Sequence, residues 1–299
     1  MGEFQQCDMD ILVTGGDGFV GRHLCRALDE RGHDVTALSR DPDPAALPDG
    51  VETVVGDVTD ASSIEPAVEG VDVLVNLVAL SPLFTPNGGN EMHERVHLGG
   101  TETLVAAVED ADVERFVQMS ALGADPEGTT HYIRAKGRAE AVVRDSDLKW
   151  VIVRPSVIFG DGGEFVGFTK KLTPPILAPL PGGGKTRFQP IWVEDLAPML
   201  ADCVEDDDRE GEVYELGGPE RLTLKEIAKL VRGRVAVLPV PMALAGVGLS
   251  IGGAIPGFPM GRDQYRSLRF DNTTANNDVT AFGVDPDELL TLGAYLGPE

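Results

Sequence analysis

The stretch "VTGGDGFVGRHLCRAL" (13–28) decides the fold. The apolar run "DILVTG" (10–15) leads directly into it, and a helical pattern follows over 19–31. Gly15, Gly18 and Gly21 form G-x-x-G-x-x-G, while Gly16, Gly18 and Gly21 also satisfy G-x-G-x-x-G. Between a buried strand and an amphipathic helix, such glycines let the backbone turn tightly and approach a pyrophosphate. The anion then rests on the positive end of the helix that opens at Phe19 and Val20.

Working outward, short apolar runs recur as "DVTALS" (34–39), "VETVVG" (51–56), "DVLVNLVA" (72–79), "RFVQMS" (115–120) and "KWVIVRP" (149–155). They read as strands buried on both faces. Helical patterns lie between them at 61–69, 90–110 and 130–145. Strand–helix alternation at this spacing means βαβ units and a parallel sheet covered on both faces. Near residue 160 the pattern changes to Gly- and Pro-rich connections, with a helix expected near 192–205 and a strand near 212–216. The expected class is α/β, a doubly wound parallel-sheet Rossmann fold with a smaller, mainly C-terminal substrate domain. Residues 1–160, with 187–217 returning, are assigned to the dinucleotide-binding domain. Residues 161–186 and 218–299 are assigned to the substrate domain.

The second strand ends in Ser39-Arg40, where an NAD-binding fold usually carries an acid for the ribose 2′-hydroxyl. Arg40 suits a 2′-phosphate, which points to NADP before NAD; the plainer option is pairing with Asp41 or Asp43. Asp57 and Val58 follow the third strand, placed for the adenine amino group, and Leu77, Val78 and Ala79 flank the ring. In "HYIRAKGRAE" (131–140), Tyr132 and Lys136 are four apart and share a helix face. A free Tyr titrates near 10; an adjacent ammonium favours its phenolate and fits it for proton transfer.

Composition sets the surroundings. The chain has 299 residues, 49 acids, 25 bases and a formal charge of −24. Such a surface repels nucleic acid and anionic lipid. Many acids with few lysines resemble proteins of high-salt cytoplasm; an ordinarily acidic mesophilic protein is the alternative. Cys7, Cys25 and Cys203 form no C-x-x-C, which favours a reducing compartment. The start "MGEFQQCDMD" shows no signal peptide, so a cytoplasmic location is expected.

"TGGDGFVG", "GDVTD", "VQMSALGAD", "YIRAKGRAE", "VIVRPSVIFG" and "FQPIWVEDLA" together resemble an extended-type short-chain dehydrogenase/reductase. Its atypical members, similar to the nucleotide-binding accessory subunit of respiratory complex I, match over about residues 10–200, and "RDQYRSLRFDN" (262–272) adds to the likeness. The resemblance implies that Gly15, Gly18 and Gly21 hold the pyrophosphate, Tyr132 transfers a proton and Lys136 binds the nicotinamide ribose. Pro155 and Val157 would line the nicotinamide. Two positions depart from the family. Leu122 stands where the catalytic serine is expected, with Ser120 nearer a backbone-contact position, and His97 replaces the helix-four asparagine. The implied function is NADP(H)-dependent hydride transfer on a small or isoprenoid- or quinone-like carbonyl or alcohol, with Ser120, Tyr132 and Lys136 as the catalytic set. The alternative is a catalytically silent NADPH-binding protein of a respiratory or quinone-related assembly, peripheral to the membrane.

Three stretches invite other readings. "HERVH" (93–97) spells the H-E-x-x-H of zinc peptidases, but residue 103 is Thr103 and no third ligand follows. His93 and His97 are read instead as a helix face near the cofactor, with no metal. "PGGGKTRF" (181–188) lacks the first P-loop glycine and reads as a loop over the cleft, where Lys185 or Arg187 touches a ligand or is simply solvated. Residues 235–261 carry no charge between Arg234 and Arg262. They are too short and Pro-interrupted to span a bilayer, and read either as a buried helix or as an apolar lip beside the cleft.

Overall fold

The computed structural model describes residues 8–246 and 261–297. The main sheet is built from β1 (Asp10–Thr14), β2 (Asp34–Ser39), β3 (Glu52–Val55), β4 (Val73–Asn76), β5 (Arg115–Met119), β6 (Lys149–Pro155) and β11 (Val213–Leu216). All seven strands are parallel, in the order β11-β6-β5-β4-β1-β2-β3. The order reverses between β1 and β4, which opens a crevice at their carboxyl ends.

Alternate side chains of each strand enter opposite layers. Ile11 and Val13 join one core with Leu24 and Leu28 of α1 (Phe19–Glu30) and with Leu196 and Leu200 of α7 (Val193–Glu205). Leu12 faces the other core, with Ile64 of α2 (Ala61–Ile64), Leu104 of α4 (Gly100–Asp110) and Val143 of α5 (His131–Asp145). Removing each such side chain from water stabilises the fold by about 1.5–3 kcal/mol. The expected helix 61–69 is shorter than its pattern because α2 gives way to a 3₁₀ turn, Glu65–Ala67, at Pro66. Proline has no N–H to continue the ladder, and its ring collides with the preceding turn. The expected helix 90–110 is present but composite: α3 (Glu91–His93), a π-helical turn Glu94–Gly99, then α4.

The remaining elements gather beside the carboxyl ends of the sheet. Two short pairs form from β7 (Ile158–Phe159) with β10 (Ile191–Trp192), and from β9 (Arg187–Phe188) with β12 (Leu222–Thr223). A parallel ribbon forms from β8 (Leu177–Pro181) and β13 (Ala236–Val240). A small core joins Phe165 of α6 (Glu164–Leu172) to Ile227 and Val231 of α8 (Leu224–Arg232), with Phe159 and Leu292. Among the described residues no helix is long and apolar enough to cross a membrane. Most of the apolar stretch 235–261 lies outside the described residues, so neither reading of it is resolved there.

Candidate active site

The glycine loop is shaped for close approach. Gly15 has φ +75°, a left-handed conformation that favours glycine, and its N–H donates to Leu38 O at 2.7 Å. A Cβ on Gly21 would fall 2.2 Å from Gly15 O, so α1 could not sit so near the loop. At Gly18 a Cβ would meet only Gly15 O, at 3.0 Å. Gly18 is also the N-cap of α1, with no side-chain cap and no acid in the first turn. The first N–H groups of α1 therefore stay open to an anion. These residues fit a dinucleotide pyrophosphate.

A cavity of about 1120 Å³ begins at this loop. Most small-molecule sites measure ~300–1,000 Å³, so there is room for a dinucleotide and a second molecule. Sixteen of the residues expected at the site line it: Gly15, Gly18, Phe19, Val20, Gly21, Ser39, Arg40, Asp57, Val58, Leu77, Val78, Ala79, Ser120, Tyr132, Pro155 and Val157. The other two, Lys136 and His97, are buried behind the wall.

One end of the cavity is charged. Arg40 is exposed and forms no ion pair with Asp41 or Asp43 among the described residues. Burial disfavours the Asp57 carboxylate, but the Thr59 N–H and hydroxyl, both at 2.9 Å, outweigh it with help from Arg40 and Arg95; the carboxyl is held below its usual range. The sequence reading missed Asp17. Its carboxylate lines the same corner and accepts from the Ser39 hydroxyl at 2.9 Å, setting a negative charge beside Arg40.

Tyr132 lines the same cavity. Thr130 caps α5 by accepting from Ile133 N at 3.2 Å, which fixes the first turn where Tyr132 projects. The Tyr132 ring meets His93 and His97 edge-on at 5.6 and 5.3 Å, and the two imidazoles stack at 5.4 Å. His97 Nε2 accepts from Leu80 N at 3.3 Å, so the proton of the neutral ring sits on Nδ1. Burial lowers His93 to about 4 and His97 well below its usual value. Glu94 turns away from both and pairs with Arg138. Among the described residues no three metal-ligating side chains converge.

Two of the expected catalytic side chains hold protein partners here. Lys136 is 1% exposed, its Nζ donates to Met119 O at 2.9 Å, and burial lowers it to about 8, with Glu140 opposing. The ammonium thus contacts the end of β5. Burial pushes the Tyr132 phenol well above its usual range. Ser120 is held likewise. Its hydroxyl donates to Glu140 Oε1 at 2.6 Å, and the residue lines the cavity. Glu140 is itself gripped by Arg154, Nε to Oε1 at 2.8 Å and Nη2 to Oε2 at 2.6 Å, and by Arg144 at 2.9 Å. Leu122 lines the cavity where the family has its serine.

The sequence reading also missed two long-range supports. Asn272 Oδ1 accepts from Ser156 Oγ at 2.8 Å and Val157 N at 3.1 Å, holding the segment expected against the nicotinamide. Asp263 Oδ2 accepts from His131 N at 2.8 Å and sits 2.7 Å from its Nδ1, clamping the start of α5. "RDQYRSLRFDN" contains both residues, which was the available signal. The loop 181–188 takes the solvated one of its two readings, with Lys185 and Arg187 exposed. Gly182, Gly183 and Gly184 donate their N–H groups to Val240, Leu180 and Pro181 carbonyls, and neither Lys185 nor Arg187 lines the cavity.

Comparison with known proteins accords with this geometry. A family described as NAD(P)H-binding matches residues 15–206. The subunit 9 of the NADH dehydrogenase [ubiquinone] 1 alpha subcomplex, mitochondrial, of Arabidopsis thaliana is 30% identical over 251 residues, covering 78% of this chain and 61% of that protein. The chloroplastic divinyl chlorophyllide a 8-vinyl-reductase of Arabidopsis thaliana is 28% identical over 233 residues, covering 71% and 54%. The chain thus spans little more than half the length of these relatives. Among solved structures, the Thermus thermophilus UDP-glucose 4-epimerase complex with NAD superposes with a TM-score of 0.65 at 24% identity, covering 87% of this chain and 99% of that one. That likeness speaks for the fold. The chain belongs to the NAD(P)H-binding family, among the atypical extended short-chain dehydrogenases/reductases.

Proposed function

We propose that this protein is an NADP(H)-dependent oxidoreductase acting on the carbonyl or alcohol of an apolar, isoprenoid- or quinone-like molecule. The observation that carries the reading is the single cavity running from the glycine loop and Arg40, past Tyr132, into an apolar chamber. On its wall the charged residues are Asp17, Arg40, Asp57 and Glu164. Phe165, Phe168, Leu172, Leu180, Phe188 and Leu268 furnish the far end. Gly15, Gly18 and the N-terminus of α1 would hold the pyrophosphate, Arg40 the 2′-phosphate, and Asp57 the adenine. Pro155 and Val157 would position the nicotinamide, which supplies or accepts the hydride. Tyr132 gives or takes the proton at the substrate oxygen. His93 and His97 shield it from water, and Lys136 and Glu140 support the wall from behind. The chain divides into a cofactor half, 1–160 with 187–217, and a substrate half, 161–186 with 218–299. A cytoplasmic, salt-adapted setting accords with its thiols and charge.

A second reading has its own support. Ser120 is committed to Glu140, and Leu122 carries no proton. Both suit a silent NADPH-binding protein associated with a respiratory assembly, as the named subunit relative suggests. Isothermal titration with NADPH and NADH, followed by a stopped-flow search for NADPH oxidation by quinones and enones, tests both. Tight binding without turnover selects the silent reading; no binding refutes both.

A further inference from the structure

The β8–β13 ribbon presents an apolar face to solvent. In register, Leu177 stands beside Ala236 and Pro179 beside Leu238, and all four point outward. Ala178 and Leu180 turn inward onto Ala228 and Val235. Leu177 and Leu238 are 45% and 47% exposed, and Ile176, which continues the ribbon, is 83% exposed. One exposed leucine is ordinary, but a contiguous apolar strand face marks an interaction site.

The charge around this ribbon opposes that of the molecule. Residues 165–186 contain Lys170, Lys171 and Lys185 and no acid, and residues 227–246 contain Lys229, Arg232 and Arg234 and no acid. These two segments carry +6 in a chain of −24, so the rest holds −30. Lys170, Lys171, Lys229 and Arg234 are exposed, and Arg232 ties the segments together by donating to the Lys170 carbonyl and to the Thr173 carbonyl at 2.7 Å. The ribbon also borders the cavity mouth, where Pro179, Val240 and Leu244 line the opening.

We propose that the ribbon docks on an anionic lipid surface and sets the cavity mouth against its apolar interior. The formal charge argues for repulsion, but charges beyond about 8 Å are screened at 0.15 M salt, so the basic side chains around the ribbon outweigh the distant acids, with Glu226 offsetting part of Lys229. In molar salt the apolar face alone would hold the surface. The acidic remainder then orients the molecule by facing water. Each basic side chain near an anionic leaflet strengthens partitioning about fivefold. The proposal extends the apolar-substrate reading but stands on other residues, so either can fail alone.

Flotation of the full chain with phosphatidylcholine vesicles, with and without phosphatidylglycerol, tests it. The wild type should float with phosphatidylglycerol vesicles at about 0.15 M KCl, and Lys170→Gln/Lys171→Gln/Lys229→Gln should weaken this about a hundredfold. At about 1 M KCl charge no longer acts beyond ~3 Å, and Leu177→Ser/Leu238→Ser should remove the binding that persists. Both variants should keep the wild-type NADPH titration. A wild type that stays unbound, or variants that float unchanged, would overturn the proposal. So would a dimer in sedimentation velocity that Leu177→Ser/Leu238→Ser dissolves, because a second copy would then cover the ribbon. A drop of several degrees in the thermal midpoint of that variant would show that the chain covers the ribbon itself, and would overturn it too.

Discussion

Replacing His93 by Asn should flatten the acid sensitivity of folding. His93 is 2% exposed, and burial lowers it to about 4 from an ordinary 6.5, with Asp263 opposing and His131 and Lys136 adding to the effect. A group with a lowered folded pKa binds its proton more readily in the unfolded chain. Protonation therefore favours unfolding: the stability is fully present above pH 6.5 and is lost as pH falls toward 4. Between about pH 7 and 5 the lowering of His93 alone removes about 2 kcal/mol, at 1.36 kcal/mol per pKa unit. Against a typical total of 5–15 kcal/mol that is easily measured. Urea unfolding at both pH values in one KCl concentration is the assay, with His93→Asn as control. The acidic surface relaxes on protonation equally in both proteins, so their difference isolates the imidazole. An identical loss in the two would show that His93 protonates freely in the folded state, and the stacked pair behind Tyr132 would have to be abandoned.

Arg40→Asp should weaken NADPH about ten- to a hundredfold while sparing NADH, the range of a lost charged hydrogen bond; equal wild-type affinities in calorimetric titration would refute the NADP preference. Tyr132→Phe should abolish turnover with NADPH affinity kept, and full activity on a verified substrate would remove Tyr132 from the mechanism. Ser120→Ala should lower stability by about 1 kcal/mol through the lost bond to Glu140, which keeps Arg154 and Arg144, while reducing turnover only modestly; loss of turnover at unchanged stability would assign Ser120 a role as proton donor. The thermal midpoint should rise steeply between dilute buffer, where the Debye length nears ~30 Å, and molar KCl, and a flat profile would rule out salt adaptation.

What the sequence revealed depended on how local each signal was. The glycine loop announces itself because three backbone requirements fall within seven residues, and every strand of the main sheet was expected within a few positions of its observed ends. The π-helical turn at Glu94–Gly99 could not be read, because an α-helix and a π-turn have nearly the same pattern over six residues. It matters, since His97 lies in that turn and His93 immediately precedes it, and together they pack against Tyr132. The partner of Ser120 was hidden for a related reason. Its partner Glu140 is 20 residues away and Asp263 is 132 residues from His131, separations at which periodicity carries no information. Lys136 was placed on the right helix face, but its choice of Met119 O over the cavity is a matter of side-chain direction.

The raised phenol of Tyr132 bears on the direction of catalysis in the enzymatic reading. Carbonyl reduction leaves an alkoxide on the substrate, a base stronger than any phenolate. A Tyr132 that holds its proton firmly still donates to it, and donates late, as charge develops. Alcohol oxidation asks the reverse: Tyr132 must first lose its proton, and burial opposes this while Lys136 faces Met119. The imidazoles do not help as bases, because both are buried and their Nδ1 atoms have no partner among the described residues. In that reading the site would favour reduction. An NADPH held through Arg40, as proposed, would supply the reductant. The missing serine fits the same scheme: a polarising hydroxyl matters less where the carbonyl sits among apolar walls, and where hydrogen bonding to a single phenol O–H is not diluted by water.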